Sequence, residues 1–313
     1  MALARTFRGA VLVAVGALAS AGCSSSQVPA ARSTPAAAPS HAFPLALSDD
    51  EGVRVTVPSA PRRIVTFAPA DTEIVFALGL GSRLVGVSYH QFDDYPPAAT
   101  AIPEVGGPNT APSIEKVVAL HPDLLLVTAG GQDWKGHLRQ LGIPVFTTNA
   151  TSFDDALHDI RTLGEVTGAE PAADRLAASM ASQAAAIAQR VSAESGVSCF
   201  LDLGGLYTVG PNDFPFDLLG RAGCDPVTAS ATTSYPQWQK DELVKEDPAV
   251  YLFTSDSGDT VHGIESDAQL ASIAAVTKGQ VYSIDSDLIS RPGPRLVQGI
   301  TALARALHPD AFG

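Results

Sequence analysis

The chain has 313 residues, 45% of them hydrophobic and 6% aromatic, and a formal net charge of −13. That much apolar sequence can bury two modest cores. Its acidic balance, with Lys and Arg scattered singly and no basic stripe, excludes a nucleic-acid partner, because phosphates need a positive footprint.

In chain order, the first segment reads as a targeting signal. Arg5 and Arg8 make a positive start, and Gly9 to Ala19 is an apolar stretch too short to span a bilayer as a folded helix. Ser20-Ala21-Gly22-Cys23 resembles a bacterial lipobox, in which the cysteine is diacylated and becomes the mature N-terminus. Ser20 stands where that pattern favours an aliphatic residue, and Ala19-Ser20-Ala21 also fits an ordinary secretory cleavage site. Residues 1–22 are therefore read as a signal peptide. Residues 23–42, mostly Ser, Ala and Pro, are read as a linker that buries too little to fold.

A first α/β lobe is expected over 43–168. Phe43, Leu45 and Leu47 alternate, Ser48 to Gly52 turn, and Val53, Val55 and Val57 alternate again, which predicts a hairpin. Apolar runs then follow at Ile64–Phe67, Leu84–Val87 and Leu124–Val127, with helical patterns at Thr72–Leu78 and from Ile114. Fully apolar strands separated by helices are what a parallel sheet covered on both faces requires. A further helix is predicted over Phe153–Val166.

Residues 169–195 contain an alanine-rich run, Glu170 to Ala193, that reads as one unbroken helix. Leu176, Met180, Ala184, Ile187 and Val191 share a face at the helical period. Pro171 suits a first helical position, and Gly196 suits the stop.

After this helix, over 196–313, the first plan repeats. Cys199-Phe200-Leu201-Asp202 answers Ile64–Phe67, Phe216–Leu219 answers the first helix, and Cys224–Val227 answers Leu84–Val87. Pro248 stands where Pro122 stood, and Val250–Thr254 matches Leu124–Thr128. The reading is two similar Rossmann-like α/β lobes joined by a single long helix, with a ligand cleft between them. A lone helix without a hinge predicts small lobe motion. Cys199 and Cys224, near the starts of two strands expected to be neighbours, either form a disulfide or stay as buried thiols.

Catalytic patterns are missing: no nucleophile elbow, no phosphate-binding loop with lysine, no paired histidines on a helix and no Cys-x-x-Cys. The 7 histidines are dispersed. No cofactor, protein-held metal or enzymatic activity is expected. Ligands of parallel α/β folds sit beyond the carboxyl ends of the strands. The loops there carry Asp71, Tyr89, Phe92, Asn109 and Trp134 in the first lobe, and Tyr207, Tyr235, Trp238, Asp287 and Arg291 in the second. Together they suggest a wide, flat, partly polar ligand.

Several motifs resemble one family. They are Arg63-Ile64-Val65 leading to Thr72-Glu73-Ile74, Asp94-Tyr95-Pro96-Pro97, Ile114 to Leu120 with Pro122-Asp123, and Ser290-Arg291-Pro292-Gly293-Pro294-Arg295. From about Phe43 onward the chain is similar to the substrate-binding lipoproteins of bacterial ABC importers for vitamin B12, ferric siderophores and haem. The resemblance implies two lobes bridged by one helix, a metal chelate as cargo, and a permease with its ATPase as partners. It also implies a monomer exported to the outer face of the cytoplasmic membrane, or to the periplasm, and held there by lipid on Cys23. Carried over residue by residue, it favours a corrinoid: Phe92 with Tyr89, Tyr207 and Tyr235 as aromatic flanks, Asp287 and Arg291 at the polar rim. Asn109 and Thr128 depart from it, standing where vitamin B12-binding members have tryptophan, so siderophore and haem stay open. Glu115 in one lobe, and Asp241 with Glu242 in the other, fall where the family docks on its permease. A surface sensor or interaction lipoprotein is the alternative of another class.

Overall fold

The computed structural model describes residues 42–106, 111–130, 133–192 and 196–313. The expected signal peptide, Cys23, most of the linker and Asn109 lie outside the described residues.

A hairpin of β1 (Leu45–Ser48) and β2 (Arg54–Val57) comes first and pairs antiparallel. The first lobe follows as β3 (Ile64–Thr66), α1 (Pro69–Ala77), β4 (Leu84–Gly86), α2 (Ile114–Ala119), β5 (Leu124–Thr128), α3 (Asp133–Gln140) and β6 (Val145–Thr148). Two long helices, α4 (Phe153–Thr167) and α5 (Glu170–Val191), lead out of it. The second lobe opens with β7 (Val197–Asp202), α6 (Phe214–Arg221), β8 (Cys224–Pro226), α7 (Lys240–Glu246) and β9 (Val250–Thr254). It closes with α8 (Val261–Glu265), α9 (Ala274–Thr277), β10 (Val281–Ile284), α10 (Ser286–Ser290) and α11 (Leu296–Leu307).

Each lobe holds a 4-stranded parallel sheet, in the order β4-β3-β5-β6 and β8-β7-β9-β10. In both, the second strand flanks the first, and the third and fourth extend the other side. The repeat visible in the residues is thus a repeat of topology. Leu124, Leu125 and Leu126 are fully buried and all of β9 is buried, as strands covered on both faces must be. The sulfurs of Cys199 and Cys224 are bonded, tying the neighbouring strands β7 and β8. The hairpin docks on the edge of the first sheet through Asp50, whose N–H donates to the Thr147 carbonyl at 3.1 Å. Arg139 adds an ion pair to the buried Asp49 at 3.2 Å.

The buried stripe of α5 is Ala173, Ala177, Met180, Ala184, Ile187 and Val191, at alternating steps of four and three. Leu176, expected on that face, is only partly buried at its edge. Small residues, Ala173 and Ala177, take the N-terminal end of the stripe because α4 lies against that end of α5. A Cβ placed on Gly164 of α4 would lie 2.3 Å from the Cβ of Ala173. α11 returns to pack on α5, and one continuous apolar cluster includes Val75, Phe146, Met180, Leu201 and Leu303. The lobes are therefore joined by a shared core, a tighter connection than a lone strut. Three other boundaries differ from expectation. α1 starts early because Pro69 fits its first turn. α6 runs longer than Phe216–Leu219, and β4 ends at Gly86, after which Val87 bridges to Glu104.

The close approach of α4 and α5 gives a clean test. Gly164→Val should cost about 1–3 kcal/mol of stability by overpacking. Gly136→Ala in α3, where an added Cβ meets nothing within 4 Å, should stabilise by about 0.5–1 kcal/mol. Urea denaturation of the two variants checks both signs.

Candidate ligand cleft

Parallel strands deliver their carboxyl-end loops to one edge of each sheet, and the two edges meet at a buried ion cluster. Glu73 of α1, whose side chain is 2% exposed, accepts from Arg295 Nε at 2.9 Å and Nη2 at 2.6 Å. Arg291 Nη1 reaches the same carboxylate at 3.3 Å and Asp94 at 3.4 Å, while its Nη2 pairs with Asp287 at 2.6 Å. Arg295 also lies over the ring of Tyr95, 4.2 Å from its centroid. Glu73 holds the Arg295 guanidinium above its ordinary pKa. A second junction lies between α4 and α6, where Asp217 accepts from the Phe153 N–H at 2.8 Å and Arg221 pairs with Asp154 at 2.9 Å.

The loop after β4 is held from below. Asp93 is fully buried and accepts from both the N–H and the hydroxyl of Ser88, and burial pushes its pKa up. The amides of Phe92 and Asp93 donate to the Tyr89 carbonyl at 2.9 and 2.7 Å, closing a tight turn. That turn leaves Tyr89 43% exposed and Phe92 half-buried.

The second lobe uses the same device. Asp213 accepts from the N–H of Gly210 at 2.7 Å and of Tyr235 at 2.8 Å. Asp202 accepts from Gly204 and Leu206 amides at 2.8 and 3.0 Å. Leu206 and Tyr235 adopt φ of 61° and 47°, a left-handed conformation that side chains disfavour. The result presents Tyr207 and Tyr235, 49% and 50% exposed, from loops that Tyr207 and Gln237 bridge together. Burial, with Asp213 nearby, raises the Tyr235 phenol pKa, so the ring stays neutral.

Other residues of the expected set have different surroundings. Trp134 meets Phe67 edge-on at 5.6 Å and Trp238 tilts against Phe200 at 5.8 Å, each packed onto its lobe's core. Arg291 is 11% exposed and occupied by carboxylates. Asp287 is half-buried beside it, its pKa raised by burial against the opposing pull of Arg291. Asp71 is 1% exposed and bound to the Thr148 hydroxyl at 3.2 Å, so it lies beneath the surface, out of reach of a ligand. Sequence reading did not single out Glu73, Arg295 or Asp93 as site residues. The Thr72-Glu73-Ile74 and Arg291–Arg295 motifs carried the signal for the ion cluster, but nothing in them shows that they meet.

Glu115 and Asp241 are both exposed and both take the second position of their helices, α2 and α7. Glu242 instead accepts from the Gln239 N–H at 2.9 Å, capping its own helix. Among the described residues no group of three or more His, Cys, Asp or Glu could hold a metal ion.

The periplasmic binding protein family matches residues 64–288. The chain is 34% identical over 281 residues to an uncharacterized ABC transporter substrate-binding lipoprotein of Bacillus subtilis, covering 86% of this chain and 87% of that one. It is 33% identical over 312 residues to a cobalamin-binding protein of Halobacterium salinarum, covering 95% and 83%. Among solved structures it resembles the periplasmic vitamin B12-binding protein of Vibrio cholerae, with a TM-score of 0.69 and 25% identity over 81% of this chain and 98% of that one. A periplasmic haem-binding protein from Roseiflexus in apo form gives a TM-score of 0.71 at 25% identity, over 80% and 99%.

Beneath the first lobe's loops lie carboxyls that resist ionisation. Burial, with Asp93 and Asp50 adding repulsion, pushes Asp71 up to about 7, and burial with Asp50 and Asp71 pushes Asp159 of α4 up to about 8. Both folded values exceed the unfolded one, so their stabilising effect is complete below about pH 4 and is lost as pH rises towards 7 and 8. Asp71→Asn should remove about 1.4 kcal/mol per pH unit from the downward slope of stability between pH 4 and 7. Urea melts across that range check it. An unchanged slope in both Asp71→Asn and Asp159→Asn would show that neither carboxyl is held protonated.

Proposed function

The chain belongs to the periplasmic binding protein family, and from that premise we propose that its interlobe cleft captures an intact metal chelate, a corrinoid first of all. It is the extracytoplasmic substrate-binding component of an ABC importer, a carrier and not an enzyme, and it works with a membrane permease and its ATPase. The observation that carries the cargo reading is the set of Tyr89, Tyr207 and Tyr235. All three are close to half exposed, and they come from the carboxyl-end loops of both lobes on rigid turns. Exposed rings with apolar faces and polar tips suit a large flat ligand rather than a bare ion. Phe92 and Asp287 complete the proposed wall and rim, Trp134 and Trp238 back it, and Asn109 belongs to the same proposed face.

The cobalamin-binding relative and the vitamin B12-binding neighbour favour a corrinoid. The haem-binding neighbour keeps haem as the second reading, and ferric siderophores stand beside it. Attachment through lipid on Cys23, a monomeric state, and domain limits of 43–168, 169–195 and 196–313 are parts of the same proposal. For docking, Glu115 and Asp241 are the proposed contacts, one on each lobe, with Glu242 supporting its helix.

Titration calorimetry with cyanocobalamin, haem and a ferric siderophore, set against free iron and free zinc, tests the cargo. One chelate should bind, and at 100 times its dissociation constant it should stabilise the fold by about 2.7 kcal/mol. Tight zinc binding with no chelate response would overturn the reading, and no ligand-dependent stabilisation at all would favour a sensor or interaction role.

Docking has its own test. Glu115→Ala combined with Asp241→Ala should leave chelate affinity unchanged and sharply reduce uptake by cells. Stability should fall by no more than about 1 kcal/mol per helix-dipole contact removed. Normal uptake, or affinity that falls in step with uptake, would count against it.

A further inference from the structure

Resting on the cargo reading above, we propose that the cleft selects its ligand by charge: it admits neutral or cationic chelates and disfavours anionic ones. The support is how the basic residues at the carboxyl-end loops are engaged: apart from Lys116, exposed in the first turn of α2, each has a carboxylate partner. Lys135 is 3% exposed and pairs with Glu51 at 2.8 Å. Lys240 pairs with Asp267 at 2.5 Å. Arg291 and Arg295 are 11% and 13% exposed and share the carboxylates of Glu73 and Asp287. His90 faces Glu104 at 3.3 Å and the Ile102 carbonyl at 2.7 Å. None of these can turn to an anionic ligand without abandoning a partner.

The acids are disposed the other way. Asp94 has a side chain 56% exposed, Asp256 and Asp285 are exposed, and Asp287 is 32% exposed. Residues 107–110 and 131–132, outside the described residues, are uncharged in the sequence. With a net charge of −13 behind it, the rim presents a one-signed negative field that a low-dielectric cleft focuses. An anionic ligand must enter against that field, and among the described residues within those loops it meets no unpaired cation to offset its desolvation. Uncharged amides on a ligand's rim meet no such penalty. The tyrosine hydroxyls can both donate and accept hydrogen bonds.

Matched pairs isolate charge from shape. Cyanocobalamin is compared with its monocarboxylate, in which one peripheral amide is hydrolysed, and ferrioxamine B is compared with its N-succinylated, anionic form. Affinities are measured by calorimetry at 20 mM and 500 mM salt. In whichever pair binds, the anionic member should be about tenfold weaker at low salt, and the gap should shrink to about threefold or less at high salt as the field is screened. Asp256→Asn with Asp285→Asn should narrow the low-salt gap by about two- to threefold, because it removes rim charge without touching the tyrosines. Equal or tighter binding of the anionic member, or a gap insensitive to salt and to that variant, overturns charge selection and leaves the cargo reading standing. If neither member of either pair binds, yet haem, with its two carboxylates, does, charge selection is again overturned. No binding by any of these chelates overturns the cargo reading itself, and charge selection with it.

Discussion

The placement of the two lobes depends on one buried carboxylate. Glu73 projects from the first turns of α1 and receives guanidiniums from residues 291 and 295 of the other lobe. Pro292-Gly293-Pro294 carries the chain between those arginines, and Gly293 lies beside the start of α1, where an added Cβ would be in ordinary contact with the Ala70 carbonyl at 3.5 Å. Buried ion pairs contribute little net stability against well-packed apolar residues, but breaking one strands a charge at a cost of about 3–5 kcal/mol. The cluster therefore acts on geometry: a wide opening of the lobes would part Glu73 from its arginines, and the pairing fixes how the two loops meet. On the far side, the continuous apolar cluster through α5 and α11 opposes the same motion. Restraint at both ends opposes changes in the width of the cleft.

A restrained width is useful only if the loops that face it are also fixed, and buried aspartates do this repeatedly. Asp93 anchors the turn of Tyr89, Asp213 anchors Tyr235, and Asp202 anchors the loop before Tyr207 while accepting from the Tyr251 hydroxyl at 2.6 Å. Each collects backbone amides that would otherwise be unsatisfied as the chain leaves a strand. Burial raises the pKa of Asp93 and Asp202, a cost offset by those hydrogen bonds. In exchange, the tyrosine loops lose little entropy when a ligand arrives. An acidic composition thus divides into aspartates that build loops from within and aspartates that charge the rim.

The lobes, the strand repeat and the spanning helix were legible because periodicity and apolar runs report burial directly. Ile64–Thr66 and Val250–Thr254 could hardly be anything other than covered strands. The packing of α5 was less legible: alanine is a weak hydrophobic signal, so Leu176 drew attention that belonged to Ala173 and Ala177. The site was legible at the level of which loops carry it and not at the level of which side chains are available. Arg291 and Asp71 carry the charge that a ligand rim would want, yet one is occupied by carboxylates and the other lies buried beside Thr148. Both tryptophans lean on core rings for a similar reason. Such assignments depend on residues far apart in the chain meeting in space: Asp71 lies 77 residues from Thr148, and Arg291 lies 218 from Glu73. No single-sequence pattern encodes that meeting.

A cleft of restrained width and preorganised walls also constrains how cargo leaves. In a receptor that opens widely by itself, release follows from an intrinsic equilibrium between open and closed forms. Here that equilibrium is opposed by the Glu73 cluster on one side and by the shared core on the other, so thermal opening offers little help. A ligand held between two lobes is released when their separation changes, and the force must then come from a partner that grips both. Glu115 and Asp241, exposed at equivalent helix positions on separate lobes, are suited to such a grip, since contacts confined to one lobe could not alter the gap. A small forced separation would matter more here than in a hinged receptor. The tyrosine loops are too well anchored to follow a departing ligand, so a modest shift would forfeit a large share of their contacts.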